Sequence, residues 1–218
     1  MALAIFDLDN TLLKGDSDHR WGEYMCASGR VDAEQFARQN DKFYADYAAG
    51  SLDIYAYLRF ALSPIAGLSV ADVEPLQREF LAQWVEPMIL PKALALLDRH
   101  RQAQDRLLII TATNTVVTRP IANRLGVEAL LGCEAEIVQG RYTGEMTGIP
   151  SFRQGKVERL HQWAQDQNLS LEGAYFYSDS HNDLPLLEHV AHPVAVDPDA
   201  TLLATAKVKG WPVISLRE

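Results

Sequence analysis

Apolar residues follow two different patterns along this chain, and each pattern predicts a different kind of structure. Between residues 15 and 87, apolar side chains recur every three or four positions, over residues 19–27, 33–47, 52–62 and 70–84. This spacing is typical of amphipathic helices. The start of the chain and the part after residue 88 instead contain short unbroken apolar runs, typical of buried parallel strands, that alternate with helical patterns. The chain is therefore predicted to form a doubly wound parallel α/β sheet with an inserted all-helical segment.

The alternating part predicts the order of elements in the sheet. Strands are expected at residues 2–6, 107–111, 174–177, 194–196 and 212–215, with a hairpin or two short paired strands over residues 135–144. Helices are expected at residues 91–101, 114–125, 155–167 and 182–189. Pro120 indicates a kink or a late start in the second of these helices. We accordingly expect a core of residues 1–14 and 88–218 that carries a helical cap of residues 15–87.

Two acidic residues follow the first predicted strand at its carboxyl end. Because side chains alternate along a strand, Asp7 and Asp9 point the same way. Ligands of open α/β sheets bind at this end of the strands. Two carboxylates so close together repel each other unless a cation lies between them or one of them is protonated. The pair therefore indicates a metal site, a nucleophile beside a proton donor, or both.

Two further segments carry groups suited to binding phosphate. The strand at 107–111 ends in Thr111-Ala112-Thr113-Asn114, where a hydroxyl meets the free N–H groups of a helix start. The alternative is that Thr113 or Asn114 only caps the helix. Lys156 lies in the first turn of a later helix, where its charge opposes the helix dipole. It either neutralises a phosphate or is an ordinary solvated lysine.

A second pair of acids, Asp179 and Asp183, follows the strand at 174–177. Two such strand ends in one sheet bring three or four carboxylates together, and a site of oxygen ligands is best suited to Mg²⁺. The net charge of −9 disfavours nucleic acid as a partner. A phosphorylated substrate would then need a metal ion and a well-placed lysine to offset the repulsion.

Cysteine usage and hydropathy predict the compartment. The two cysteines, Cys26 and Cys133, have no metal-ligand spacing and are expected to be free thiols in a reducing cytosol. No basic leader precedes the first apolar run, and no segment approaches 18 apolar residues, so neither a signal peptide nor a membrane span is expected. A cytoplasmic location follows, and no pattern indicates an oligomeric state.

Four segments together resemble the motifs of the haloacid dehalogenase (HAD) superfamily phosphatases, in the family's order. They are Asp7-Leu8-Asp9-Asn10-Thr11, Thr111, Lys156 and Asp179-Ser180-His181-Asn182-Asp183. The helical insertion after the first motif is similar to the cap of the phosphoserine-phosphatase-like branch. The chain departs from the family at Ser178-Asp179-Ser180-His181, where many members have Gly-Asp-Gly or Gly-Asp-Ala, and His181 either contacts the site or is solvated.

The resemblance implies a role for each matching residue. Asp7 would form an aspartyl-phosphate, and Asp9 would protonate the leaving oxygen and later accept a proton from water. Mg²⁺ would be held by the carboxylates of Asp7 and Asp179 and the carbonyl of Asp9. Asp183 would act through a bound water or by contacting the residues that bind the metal. The substrate would be contacted by Asn182 and, at its phosphoryl oxygens, by Thr111, Lys156 and the amides of Ala112 and Thr113.

In this branch, an acid shortly after the first motif binds the amino group of the substrate, and Asp16 occupies the equivalent position. With Asp18 close by, it suggests a cationic leaving group, unless Ser17 or Asp18 caps a helix and Asp16 is solvated. Candidate partners for a substrate carboxylate have no support in the sequence; they are Arg20, Arg38 and Arg59.

The opening of the chain is similar to that of bacterial proteins of the branch assigned as histidinol-phosphate phosphatases. A small amino-alcohol phosphate such as histidinol phosphate is therefore the expected substrate, followed by phosphoserine and then by other small phosphomonoesters. A phosphomutase of the same fold and a non-catalytic binding module are the rival classes. A binding module predicts at least one damaged motif, and none is damaged here.

Overall fold

A seven-stranded sheet runs through the part of the protein that the computed structural model describes, residues 2–217. The strands lie in the order β4-β3-β2-β1-β5-β6-β7. Their bounds are Leu3–Phe6 (β1), Arg106–Asn114 (β2), Ala129–Val138 (β3), Arg141–Thr147 (β4), Tyr175–Ser178 (β5), His192–Val196 (β6) and Val213–Ile214 (β7). All neighbours pair in parallel except β3 and β4, which form an antiparallel hairpin at one edge. The predicted α/β fold is confirmed, with one antiparallel edge strand.

Helices cover both faces of the sheet, which explains why the central strands are apolar without interruption. Ile5 and Phe6 are neighbours in β1 but belong to different hydrophobic clusters, one on each face. Both side chains are fully buried. The helices outside the insertion are Pro91–Gln102 (α5), Thr115–Arg124 (α6), Gln154–Asp166 (α7), Leu184–Leu187 (α8) and Ala200–Lys209 (α9).

Four helices fill the segment between β1 and α5, which we call the helical insert (residues 17–88). They are Ser17–Ala27 (α1), Ala33–Ala48 (α2), Ile54–Leu62 (α3) and Val70–Phe80 (α4), followed by a π-helical turn at Leu81–Val85. Trp21 packs edge-on against Phe80, with ring centroids 5.0 Å apart. Both rings belong to the hydrophobic cluster that also contains Phe6 of the sheet. Many of the aromatic residues of the insert are therefore core residues. Its status as a separate cap domain stays a prediction.

Pro120 lies inside α6 without ending the helix. A proline has no N–H to donate to the carbonyl four residues earlier, here that of Val116. The side-chain amide of Gln77, on α4 of the insert, donates to this carbonyl at 2.7 Å. The hydrogen bond that the proline cannot make is thus replaced from another element, and α6 runs unbroken from Thr115 to Arg124.

Three parts of the fold differ from the sequence prediction. Paired strands were expected over residues 135–144, but β3 begins at Ala129 and pairs in parallel with β2. The predicted helix at 182–189 is a 3₁₀ turn, His181–Asp183, followed by the single turn of α8, because the backbone of Asp183 leaves the helical conformation (φ −94°, ψ 3°). Helix α9 was not predicted, since only Leu202 and Ala206 are buried in it. Its capping residues, Asp199 and Gly210, were the available signal. Within residues 2–217, no helix has the length and apolar character needed to cross a membrane.

Candidate active site

A buried lysine between two buried carboxylates lies at the carboxyl ends of β1 and β5. The ammonium of Lys156 is 2.8 Å from Asp7 Oδ1 and 2.7 Å from Asp183 Oδ1. Burial raises the pKa of Asp7 from 3.8 to about 7, although the charge of Lys156 opposes this rise. Burial also disfavours the charged form of Lys156, but Asp183 and Asp7 outweigh it and raise its pKa. The lysine therefore stays charged.

The start of α7 places Lys156 in this position. Gly155 allows it, because a Cβ atom there would lie 2.1 Å from the carbonyl oxygen of Pro150. Arg153 precedes the helix with a φ of 49°, a left-handed conformation that is uncommon for residues other than glycine. The Ser178 hydroxyl, at the end of β5, donates to Asp183 Oδ2 at 2.7 Å. The Asp183 carboxylate thus accepts hydrogen bonds from both Ser178 and Lys156.

Asp9 is held by donors from two different elements. The backbone N–H of Ser17 donates to its Oδ1 at 2.5 Å, and the hydroxyl of Thr113 donates to its Oδ2 at 2.8 Å. Burial, and next the charge of Asp16, raise the pKa of Asp9 from 3.8 to about 7. A carboxyl group with a pKa near neutrality, fixed in one orientation, is suited to donating and accepting a proton.

The end of β2 supplies the predicted phosphate-binding residues. Thr111, Ala112 and Thr113 line the same cavity as Asp7 and Asp9. Thr111 is buried, and its hydroxyl accepts a hydrogen bond from the N–H of Thr113 at 3.2 Å. The following residue, Asn114, caps α6, as the alternative interpretation of this segment proposed.

Asp179 is the acid of this group that most needs a compensating charge. The hydroxyl of Thr11 donates to its Oδ1 at 3.2 Å, and burial together with Asp7 and Asp183 raises its pKa well above the usual range. Within residues 2–217, no three Asp, Glu, His or Cys side chains are arranged to hold a metal ion by themselves. The expected carboxylates do come together, since Asp7 and Asp183 both raise the pKa of Asp179, but Lys156 lies between Asp7 and Asp183.

The remaining donor set still fits a hard divalent cation. The charge of Asp7 raises the pKa of Asp179, so a cation bound between these two carboxylates would relieve their repulsion. A site completed by a main-chain carbonyl, as expected for Asp9, would consist of oxygen atoms alone. Such a donor set suits Mg²⁺ better than a transition metal.

A cavity between the helical insert and the sheet lies directly above these residues. Its acidic lining consists of Asp7, Asp9, Asp16 and Asp18. Its apolar wall comes from the insert, with the residues Phe43, Tyr44, Tyr47, Leu52, Ile54 and Tyr57. Among residues 2–217, no lysine or arginine lines this cavity. The three arginines considered as carboxylate partners do not line it either: Arg20 and Arg38 pair with glutamates on the surface, and Arg59 is exposed.

The two acids at the start of α1 differ in their contacts. Asp16 caps the helix, since its Oδ1 accepts from the backbone N–H groups of Asp18 and His19 at 2.9 and 2.8 Å. The alternative with Ser17 or Asp18 as the cap and Asp16 solvated was wrong. Asp18 is 5% exposed, and its Oδ1 accepts from Asn114 Nδ2 at 3.2 Å. Burial, and next the charges of Asp16 and Asp9, raise its pKa well above the usual range.

A set of polar contacts connects the end of α2 to the loops that carry the site. Asn182 donates from Nδ2 to the carbonyl of Tyr47 at 3.1 Å and accepts from Arg153 Nε at 3.0 Å. The Arg153 guanidinium also donates to the carbonyl of Gly50. We call these residues the insert clasp. Asn182, expected to bind substrate, thus already has two protein partners. Arg153 was missed, because no local pattern marks a contact 103 residues away.

His181 is not simply solvated, as one of the two interpretations of the sequence held. Its Nδ1 lies 2.8 Å from Asp199 Oδ2, and its backbone N–H donates to the same oxygen at 2.6 Å. Its other ring nitrogen lies close to Gly50 of the insert. The imidazole is therefore fixed beside the insert clasp.

The chain is similar to known proteins over nearly its whole length. The chain is 46% identical to a histidinol-phosphatase from Neisseria meningitidis serogroup C, over 99% of both chains. It is 34% identical to phosphoserine phosphatase SerB1 from Mycobacterium tuberculosis, over 99% of this chain and 71% of that protein. The crystal structure of a protein of unknown function from Bordetella pertussis Tohama I superposes with a TM-score of 0.93 at 40% identity, over 99% of this chain and 98% of that one. The family model of haloacid dehalogenase-like hydrolases matches residues 4–188, so this protein belongs to that family.

Proposed function

We propose that this hydrolase is a phosphatase that acts on an amino-alcohol phosphate, with histidinol phosphate as the best candidate. The observation that carries the proposal is the cavity above Asp7, which combines the acids Asp16 and Asp18 with an apolar wall from the insert. A phosphomonoester whose alcohol carries an ammonium group and an apolar body matches both properties. Free thiols at Cys26 and Cys133 support a cytoplasmic setting for such a metabolite.

The contacts of the acidic residues support a reaction in two steps. In the first step a carboxylate oxygen of Asp7 attacks phosphorus, the ester P–O bond breaks, and Asp9 donates its proton to the leaving alcohol. In the second step Asp9 takes a proton from water, whose oxygen attacks the aspartyl-phosphate and releases phosphate and Asp7. Lys156 contacts Asp7 at 2.8 Å and keeps it aligned.

The phosphoryl oxygens would be bound by groups at the end of β2. We assign this role to the hydroxyl of Thr111 and the main-chain N–H groups that follow it, at Ala112 and Thr113, which line the cavity. Asp7, Asp179 and the carbonyl of Asp9 would hold Mg²⁺, which supplies positive charge against the phosphoryl group. Asp183 would act on this site indirectly, since Lys156 and Ser178 occupy its carboxylate.

Phosphoserine is the second candidate substrate, and the 34% identity to phosphoserine phosphatase SerB1 supports it. Phosphoserine carries a carboxylate next to its ammonium group. Within residues 2–217, no arginine or lysine lines the cavity to pair with that carboxylate, while four aspartates would repel it. This difference favours an amino alcohol over an amino acid.

Phosphate release from a substrate panel tests the proposal. With Mg²⁺ present, histidinol phosphate should give the highest kcat/KM, ahead of phosphoethanolamine and phosphoserine, and product analysis should find free alcohol rather than a transferred phosphoryl group. Asp7→Asn should abolish turnover while its circular dichroism stays that of the wild type. Phosphoserine as the preferred substrate would overturn the assignment of the amine without a carboxylate. Absence of phosphate release from every substrate would favour a binding module or a phosphomutase. Phosphoryl transfer to a second position of a sugar would identify the phosphomutase.

A further inference from the structure

Asp18 has a carboxylate oxygen that the protein leaves without a partner. The side chain is nine-tenths buried, and Asn114 Nδ2 satisfies its Oδ1 at 3.2 Å. Its Oδ2 is buried and accepts no hydrogen bond among residues 2–217, and the hydroxyl of Tyr57 lies close enough to the carboxyl group to favour its charged form. Buried polar atoms are almost always hydrogen-bonded, because leaving one unpaired costs free energy. Asp18 also lines the cavity, so a substrate bound there lies beside this side chain.

The surroundings of Asp18 fix it in place. Asn114, which holds Asp18, follows Thr113, which holds Asp9, so the end of β2 connects Asp18 to the reaction site. Tyr57 faces Asp18 from α3, and Phe43 of α2 lines the same cavity. Among residues 2–217, no lysine or arginine lines this cavity. A buried acceptor beside aromatic rings suits a flat group that carries an N–H.

Asp16 and Asp18 differ in the hydrogen bonds that their carboxylate oxygens already accept, which suggests different roles in binding substrate. Asp16 uses Oδ1 to cap α1, and it is the acid nearer in sequence to the nucleophile. Asp18 lies inside the first turn of the same helix, with its free oxygen buried. A substrate with a single ammonium group needs only one of these two acids.

We propose that Asp18 is a specificity residue that accepts a hydrogen bond from a second nitrogen of the substrate, distinct from the amine next to Asp16. The inference rests on the proposed function and narrows it. The substrate class becomes phosphomonoesters whose alcohol carries both an ammonium group and a planar ring with an N–H donor. Monoamines and ring-bearing amines without an N–H on the ring are discriminated against, because they leave Asp18 Oδ2 unpaired.

The test compares two substrates that differ in the ring N–H. Histidinol phosphate has it, and phenylalaninol phosphate has a ring of similar shape without it. In the wild type, the ratio of their kcat/KM values should be at least tenfold in favour of histidinol phosphate. In Asp18→Asn this ratio should fall at least tenfold, whereas the surface control Asp98→Asn should keep the wild-type ratio. Because both substrates are measured with the same variant, a general loss of activity cancels in the ratio of the two kcat/KM values.

Each result decides the question. A wild-type ratio near one, or a ratio that Asp18→Asn leaves unchanged, overturns the role of Asp18 while phosphate release still supports the proposed function. Wild-type protein that releases phosphate from neither substrate contradicts the proposed function itself. If Asp18→Asn does not fold, inhibition of p-nitrophenyl phosphate hydrolysis by the free alcohols replaces it. Histidinol should then inhibit the wild type at least tenfold more strongly than phenylalaninol, and equal inhibition overturns the inference.

Discussion

Replacing Lys156 by methionine should destabilise the protein strongly, because it leaves two buried carboxylates without their counter-charge. The lysine side chain is 2% exposed, and the side chains of Asp7 and Asp183 are 6% and 2% exposed. Breaking a buried ion pair by removing one partner costs about 3–5 kcal/mol. With a urea m-value of about 2 kcal/mol/M, this lowers the unfolding midpoint by about 2 M. Methionine has a similar shape, so the loss of packing adds little to this value.

The pH dependence of this loss identifies its cause. The pKa of Asp7 is about 7 in the folded protein, so at pH 5 the carboxyl group is protonated and needs no counter-charge. The loss should therefore be full at pH 8 and clearly smaller at pH 5, as measured by urea unfolding without metal. Lys92→Met is the matched control, since Lys92 is an exposed lysine in the first turn of α5. A loss below about 1 kcal/mol at pH 8, or one that is the same at both pH values, would refute the electrostatic reasoning.

Three further outcomes are expected. Asp7 and Asp9 have pKa values raised from 3.8 to about 7, so the stability that they contribute falls as the pH rises from 4 to 7. Mg²⁺ should therefore raise the Tm more at pH 8 than at pH 5, and equal shifts would contradict a site at these carboxylates. Arg153→Ala should remove the contacts of the insert clasp and lower the free energy of unfolding by about 1–3 kcal/mol. It should also speed proteolysis after Gly50, and an unchanged rate of cleavage would contradict the role of the clasp. Gly22→Ala should cost about 1–3 kcal/mol by urea unfolding, because its Cβ atom would lie 2.5 Å from Asn40 Nδ2, and unchanged stability would show that Asn40 moves freely.

Local sequence patterns were sufficient for the elements that carry the chemistry. The apolar run of β1 and the two acids after it, Asp7 and Asp9, predicted a strand end with a reactive pair, and the structure places both around one cavity. The weakest predictions concerned elements whose stability comes from distant contacts. Helix α6 continues through Pro120 because Gln77, which is 39 residues from Val116, donates to the carbonyl of that residue. No local rule contains that information.

The sequence by itself determined the class of fold, the order of the acidic, hydroxyl and lysine residues along it, and the acidity around the candidate site. These properties follow from hydrophobic periodicity and from residue types, which act over a few positions. Only the tertiary structure decided the partners of those residues. It placed Lys156 between Asp7 and Asp183, set Asn182 against the end of α2, and left one buried oxygen of Asp18 without a hydrogen bond. Burial is a property of the whole fold, and it is burial that turns an ordinary aspartate into a group with a raised pKa or an unmet hydrogen bond.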